Sequence, residues 1–278
     1  MAMHSEHPFL EPLPEEAAPR TSRGIQSVEV GGQLLKALVH TGRPMALKDL
    51  AREAGMTAAK AHPYLVSFGK LGLIEQDPGT GHYGLGSLAM QLGLISLQQK
   101  DPVRMAIAEL PGLALRVGAT VAISVWGNHG PTIIQVEQGP ADVHVTMRHG
   151  TTASVRYTAN GKLFAAFMPH AQVKQALAHD GDPQALQDPL FAQELTAIRQ
   201  QGISTVREGL VRGIGAVAAP VFDGFGRLVL CLTAIGPVAT LDVRVEGAAA
   251  QQLRETAQAL SRRLGASGPG PVGELVPR

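Results

Sequence analysis

The hydrophobic positions near the start of the chain recur at helical spacing and predict three short helices. Ser27 and Thr57 are good N-caps for the first and third helices, and Gly42 and Gly55 are expected to end the first and second. The apolar faces of the three helices carry, in order, Val28, Leu34, Leu35 and Leu38, then Leu47, Leu50, Ala51 and Ala54, then Ala61, Leu65 and Phe68.

After Gly72 the pattern changes to two short strand-like runs, Leu73–Gln76 and His82–Leu85, joined by the turn-forming sequence Asp77–Gly81. Three helices followed by a hairpin are the arrangement of a winged helix-turn-helix, with the second and third helices as the helix-turn-helix and the hairpin as the wing. The sequence therefore predicts a winged helix-turn-helix DNA-binding domain over residues 25–86.

The segment from Ser87 to Gln99 is apolar and nearly uncharged. An exposed lone helix would not carry so much apolar surface, so we expect a linker helix, within residues 87–101, that packs on another chain or on the next domain.

From Asp101 onward, strands and helices mix without a βαβ rhythm, and most strands alternate apolar and polar residues as in an antiparallel sheet with one covered face. We predict an α+β sensor domain over residues 102–265. The strand-like runs are Val121–Trp126, Thr132–Glu137, Val143–Arg148, Ile203–Arg207, Gly215–Phe222 and Arg227–Thr233. The helical runs are Val103–Val117, Asn160–Phe167, Ala171–His179, Leu190–Gln201 and Leu241–Leu264.

Composition agrees with two globular domains: the chain has 278 residues, of which 45% are hydrophobic and 17% charged. A net charge of only +1 still allows a small basic DNA-binding face. The single cysteine, Cys231, excludes an internal disulfide and a Cys-rich zinc site and favours the cytoplasm. No apolar run predicts a signal peptide or a membrane span.

Both ends of the chain are expected to lie outside the folded domains. Residues 1–24 form an acidic, proline-containing segment that predicts a disordered tail. Residues 266–278 predict a flexible tail, whose final Leu275–Arg278 resembles a protease-cleavage sequence left by an expression vector.

The third helix carries no negative charge that would repel DNA phosphates, because no acidic residue occurs between Ala54 and Ile74. Lys60 can reach guanine edges in the major groove, and lysines such as Lys48 and Lys70 are placed for phosphates. The candidate DNA contacts are Lys48, Thr57, Ala59, Lys60, His62, Pro63, Tyr64, Ser67, Lys70, His82 and Tyr83. The alternative is a small helical module for protein contacts, in which the lysines are merely solvated.

Several segments, in matching order and spacing over about residues 25–264, together resemble the IclR family of transcriptional regulators. They are Ser27–Glu29, Leu47–Met56, Gly72–Gln76, Tyr83–Gly86, Thr158–Lys162, Gly213–Asp223 and Thr233–Pro237. The resemblance implies a GAF-like C-terminal domain that binds a small organic effector, and a homodimer or homotetramer that binds double-stranded operator DNA.

The resemblance also implies an effector pocket. Its walls are Val145, Ala153, Ala159, Asn160, Ala216, Cys231, Thr233 and Ile235. Helix N–H groups near Asn160 would attract the carboxylate that most family effectors carry. Ala216 and Ile235 stand where relatives that bind very small acids often have polar groups, which favours a larger ligand such as an aromatic acid. Arg148 or Arg156 is a candidate for further positive charge, and the alternative for each wall residue is plain core packing.

Pro63 departs from the family pattern, which commonly has Arg at that place in the recognition helix. Because proline removes a backbone hydrogen bond and kinks helices, we expect α-helix geometry to be distorted there or the helix to start late.

The fullest hypothesis is a repressor of a catabolic operon controlled by a small organic acid. An enzyme is disfavoured, because the chain lacks HExxH, Gly-x-Ser-x-Gly and P-loop patterns, and no metal or cofactor is implied. A third hypothesis is a sensor that acts only through protein partners, with DNA binding lost at Pro63.

Overall fold

The computed structural model describes residues 24–141, 145 and 147–266. These residues form two compact units, with the boundary between Leu97 and Gln98, inside the predicted linker helix. Most of both predicted tails lies outside the described residues, as does much of the predicted strand Val143–Arg148.

The first unit contains the three predicted helices and the hairpin, followed by the linker helix. Its elements are α1 (Gln26–Thr41), α2 (Leu47–Glu53), α3 (Ala58–Leu71), β1 (Ile74–Gln76), β2 (Tyr83–Leu85) and α4 (Ser87–Gln99). The apolar faces of α1, α2 and α3 meet around Leu34, Leu50 and Leu65, which are almost fully buried. β1 and β2 pair in antiparallel fashion to make the wing.

Two local expectations for this unit are wrong. The first helix begins at Gln26 after Ile25, so Ser27 is not its N-cap. Residues at this end are exposed, and water can satisfy the first N–H groups without a capping side chain. The predicted late start of the third helix is also wrong, because α3 begins directly after Thr57, whose Oγ1 accepts from Lys60 N at 3.3 Å. α3 then runs unbroken through Pro63.

The second unit is an antiparallel five-stranded sheet with helices on both faces, in the strand order β4-β3-β7-β6-β5. The strands are β3 (Thr120–Gly127), β4 (Gly130–Glu137), β5 (Ser204–Arg207), β6 (Ile214–Phe222) and β7 (Leu228–Pro237). The helices are α5 (Pro102–Ile107), α6 (Leu110–Val117), α7 (Ala159–Phe167), α8 (His170–His179), α9 (Pro189–Gln201) and α10 (Ala248–Arg263).

Alternate residues along the strands pack into two separate cores. Val121, Val217 and Leu232 face α5, α6 and α10. Ala218 and Cys231 face α7, α8 and α9. Because both faces of the sheet are covered, the expectation of a single covered face is wrong for these central strands, which explains why β6 and β7 are apolar almost throughout.

Two predicted helices are shorter than their apolar patterns suggested. The run Val103–Val117 is divided into α5 and α6, because Pro111 fits only the first turn of a new helix. The run from Leu241 becomes helical only at Ala248. Before it, the Asp242 carboxylate accepts from Arg244 N and binds the Arg244 guanidinium, and this local turn replaces helical hydrogen bonds. No helix among the described residues is long and apolar enough to cross a membrane.

Candidate functional sites

The first candidate site is the solvent-facing side of α3. Ala61 and Leu65 anchor the opposite side in the core, while most of the predicted DNA contacts on this helix are exposed. The exposed residues are Ala59, Lys60, His62, Pro63, Ser67 and Lys70. Together with the absence of acidic residues on α3, this gives the helix a uniformly non-negative outer face.

Around this helix, Lys48 on α2, Thr57 at the start of α3 and His82 in the wing are also exposed. Tyr64 is only partly exposed and lies against Gly31 of α1, where a Cβ would come within 2.8 Å of its ring. Tyr83 is 9% exposed and belongs to the core of the unit. The structure thus gives Tyr83 a packing role instead of the predicted contact with DNA, because its alternation along β2 points the ring inward.

The tip of the wing is held in one shape by Asp77. Its carboxylate accepts hydrogen bonds from Gly79 N, Thr80 N and Thr80 Oγ1 at 2.6–2.9 Å. The hydrogen bond from the Thr80 backbone is the largest cause of a lowered pKa for Asp77. The turn therefore keeps its shape without apolar packing.

The second candidate site is a cavity of about 160 Å³ between the sheet and the start of α7. Six predicted effector residues lie on its wall: Ala153, Ala159, Asn160, Ala216, Thr233 and Ile235. Cys231 is not on the wall. It lies two residues before Thr233 on β7 and is fully buried in the core beneath α7, α8 and α9. Val145 is partly buried and is also not among the lining residues.

Helix α7 presents unpaired N–H groups at the cavity. Thr158 caps the helix by accepting from Gly161 N at 3.0 Å, and Thr158 O accepts from Lys162 N. Within the described residues, the backbone N–H groups of Ala159 and Asn160 have no acceptor. Free N–H groups in the first turn, reinforced by the helix dipole, attract an anionic oxygen.

Buried side chains fix this end of the helix. Asn160 is 5% exposed, and its Nδ2 donates to Ser124 Oγ on β3 at 3.0 Å. Gly161 allows the helix to approach the preceding loop, because a Cβ there would lie 2.0 Å from Ser154 O. The positions of the free N–H groups are therefore set by tertiary contacts and not by α7 alone.

The wall formed by the loop between β5 and β6 was not among the predicted site residues. Leu210 and Val211 line the cavity although they are 63% and 59% exposed, and Tyr157 stands beside them on the wall. Gly209 packs on the Tyr157 carbonyl, where a Cβ would be 2.5 Å from the oxygen. The available signal was an apolar pair between two glycines, Gly209 and Gly213, in an otherwise polar turn.

Arg156, a candidate for extra positive charge, is already neutralised. Its guanidinium binds the carboxylates of Asp182, at 2.8 Å, and Asp188. The hydrogen bond to Asp182 is the largest cause of the raised pKa of Arg156. Arg148 is exposed and does not line the cavity. Positive character inside the cavity therefore comes from the α7 N-terminus.

Two charged side chains of the C-terminal unit, Lys162 and Glu208, have structural partners. Lys162 pairs with Glu194 of α9 at 2.7 Å, and Glu208 Oε1 accepts from Gly213 N. Burial raises the pKa of the Cys231 thiol to about 12, which keeps it protonated and unreactive. No group of three metal-binding side chains occurs in the described part of the chain.

Comparison with known proteins covers both units. Residues 27–78 match the IclR helix-turn-helix domain, and residues 96–262 match the bacterial transcriptional regulator IclR C-terminal domain. The chain is 30% identical to the glycerol operon regulatory protein of Streptomyces griseus, over 88% of this chain and 98% of that protein. It is 27% identical to the DNA-binding transcriptional repressor YiaJ of Escherichia coli, over 87% of this chain and 89% of that protein.

Among solved structures, Pseudomonas aeruginosa HmgR is similar over 88% of this chain and 100% of its own, with 36% identity and a TM-score of 0.79. The Streptomyces griseus and Escherichia coli relatives are transcriptional regulators, in agreement with the expectation from the sequence that this chain is not an enzyme.

Proposed function

Because this chain belongs to the IclR family of bacterial transcriptional regulators, we propose that it represses a catabolic operon. Repression is relieved or altered when a small organic acid binds in the cavity of the C-terminal unit, and an aromatic acid fits that cavity best. The observation that carries the proposal is the pair of free N–H groups of Ala159 and Asn160 at one end of an otherwise apolar cavity. We place its action in the cytoplasm, where its DNA lies.

The DNA-binding part rests on the outer face of α3. Lys60 is exposed in the first turn of α3, and we propose that it contacts base edges in the major groove. Lys48, Thr57, Lys70 and His82 are also exposed and carry groups suited to phosphate contacts. Since those contacts hold the helix in register, Lys60 is the residue whose loss should affect specificity as well as affinity.

The choice of an aromatic acid rests on the size and chemistry of the cavity. An apolar cavity of about 150 Å³ accommodates a benzene ring, and this one measures about 160 Å³. Ala216 and Ile235 are cross-strand partners that line the cavity and give it an apolar floor. A carboxylate on the ring would accept hydrogen bonds from the free N–H groups of α7, and the ring would then pack against this floor.

Control of DNA binding needs an assembly whose states differ in affinity for the acid. We propose a homodimer or homotetramer that presents two winged helices to a palindromic operator. α4 is the element suited to join the copies, because Met90, Leu92, Leu94 and Ile95 are half or more exposed.

The test is a gel-shift titration of the full chain with DNA upstream of its own gene, repeated with benzoate, phenylacetate, acetate and neutral benzyl alcohol. We expect a specific, salt-sensitive shift that an aromatic acid alters and that benzyl alcohol does not. A shift that no acid alters would contradict the effector assignment, and the absence of any specific shift would favour a sensor acting through protein partners.

Two variants separate the two sites. Lys60→Ala should weaken specific binding by about 1–3 kcal/mol if the lysine reads a base. An equal loss on all DNA sequences would reassign Lys60 to phosphate contact. Ala216→Trp should fill the cavity and abolish the acid response while operator binding persists, and an unchanged response would place the effector elsewhere.

A further inference from the structure

The middle of the exposed face of α3 is apolar. At 100° per residue, Ala59, Pro63 and Val66 fall on nearly one line along the helix, opposite buried Ala61 and Leu65. Ala59 and Pro63 are exposed. Val66 is 44% exposed and does not belong to the core of the unit. This line is the part of the helix that would come closest to whatever α3 binds.

Polar groups on α3 lie beside this line or are already occupied. The Ser67 hydroxyl donates to Pro63 O at 3.0 Å. Lys60 and His62 stand on the two flanks, and Lys70 lies at the far end. The helix therefore offers flexible donors at its margins and no hydrogen-bonding side chain along the centre between Ala59 and Val66.

The charges decide what kind of partner fits this face. Lys60 and Lys70 are exposed, and no acidic residue occurs between Ala54 and Ile74. A purely apolar protein partner would have to bury these two ammonium groups, whereas DNA surrounds the floor of its major groove with phosphates that neutralise them. An apolar centre with cationic margins is complementary to that groove.

On the major-groove edge of the base pairs, the apolar group is the 5-methyl of thymine, and the other groups are hydrogen-bond donors and acceptors. Building on the proposed DNA-binding function, we propose that Ala59, Pro63 and Val66 recognise thymine methyl groups, so that the centre of each half-site is read by apolar contact. Cytosine amino groups and guanine oxygens are disfavoured there, because apolar side chains would strip their water without replacing a hydrogen bond.

The test begins with selection of bound duplexes from a random 30-base-pair pool by the full-length chain. We expect the enriched half-sites to contain thymines at fixed central positions. Replacing one such thymine by uracil removes only the methyl group, and we expect the dissociation constant to rise about fourfold for each contacted methyl, from its transfer free energy. 5-Bromouracil, whose halogen has nearly the size of a methyl group, should restore binding.

Two variants identify the side chains responsible. Val66→Ser shortens the apolar line, so it should weaken binding to thymine DNA and bring the uracil-to-thymine ratio at one position towards one. Val39→Ser is the matched control, since Val39 is an exposed valine of the same unit on α1 that is more accessible than Val66 (61% against 44%), and it should leave the ratio unchanged.

The outcomes separate this inference from the function on which it rests. Sequence-specific enrichment with no effect of uracil at any position overturns the thymine readout alone. An effect of uracil that Val66→Ser and Pro63→Ala both leave intact overturns the assignment to α3. A pool that shows no enrichment overturns DNA recognition itself and the thymine readout with it.

Discussion

Gly161 shows how a single residue sets the geometry of the proposed effector cavity. A Cβ at this position would lie 2.0 Å from Ser154 O and 2.8 Å from Val155 Cα, both backbone atoms that cannot swing aside. The glycine is needed for close approach and not for an unusual backbone angle, since it lies inside α7.

We therefore predict that Gly161→Ala destabilises the C-terminal unit by more than about 1 kcal/mol through overpacking and weakens acid binding, because the free N–H groups of Ala159 and Asn160 must move. Gly112→Ala in α6 is the control: its Cβ would meet only a side-chain atom, Arg116 Nη1 at 3.2 Å, and alanine is the better helix former. Chemical denaturation and calorimetric titration with benzoate measure the two effects, and equal behaviour of both variants would contradict the prediction.

Asp242 gives a residue-scale prediction about pH. The hydrogen bonds from the Arg244 guanidinium and backbone N–H lower its pKa to about 2 in the folded protein, against about 3.9 in an unfolded chain. A depressed pKa stabilises the folded state above the unfolded value, and that contribution is lost as the pH falls from about 4 to 2.

Asp242→Asn should therefore lower the thermal midpoint of the C-terminal unit at pH 6 and flatten its fall between pH 4 and pH 2. The amide can still accept from Arg244 N, so the turn before α10 is retained. Circular dichroism melts at several pH values measure both curves. Parallel curves across that range would show that Asp242 contributes no pH dependence.

At the scale of elements, the loop between β5 and β6 forms a flap over the cavity. Glu208 has φ 56°, the only positive φ of a non-glycine residue in the described ranges. Its side chain accepts from Gly213 N, and its backbone N–H donates to Ile214 O. These bonds close the loop while leaving Leu210 and Val211 largely exposed, so a bound aromatic ring would cover apolar surface that water now contacts.

We predict that Gly209→Ala pushes this flap away from Tyr157 and weakens binding of aromatic acids while leaving operator affinity in their absence unchanged. The contact at 2.5 Å is with a backbone oxygen, so the flap must move to accommodate the methyl group. Calorimetry with phenylacetate and a gel shift without it measure the two quantities. Unchanged acid affinity would remove the flap from the binding site.

The elements themselves were largely predictable because each has a local signal. α3 follows from its Thr57 cap and its apolar stripe, and the wing follows from Asp77–Gly81. The cavity was only partly predictable: Ala216 and Thr233 came from the family resemblance, whereas the role of Leu210 depends on a loop conformation that no periodicity encodes. Pro63 was misjudged because a single lost hydrogen bond on an exposed helix face does not outweigh the packing of Ala61 and Leu65.

For the whole molecule, α4 raises the question of what covers its apolar residues. A helix with Met90, Leu92, Leu94 and Ile95 half or more exposed carries an apolar surface on several sides. Such a surface is costly in water unless another surface covers it. A second copy of the chain would bury it symmetrically, as in most homo-oligomers.

We predict that the chain, of 29.2 kDa, elutes as a dimer or a larger even-numbered assembly and that Leu92→Glu with Ile95→Glu shifts it towards monomer. The affinity for the operator should fall when the assembly dissociates. Each half of a palindromic site then binds a separate winged helix, and the gain from binding both halves at once is lost. Light scattering coupled to size exclusion gives the mass, and a half-site duplex gives the control, since a monomer and a dimer should bind it with similar intrinsic affinity. If the double variant keeps the mass of the assembly, another surface joins the copies. If the mass falls while the affinity for the full operator stays constant, assembly is not what positions the winged helices on DNA.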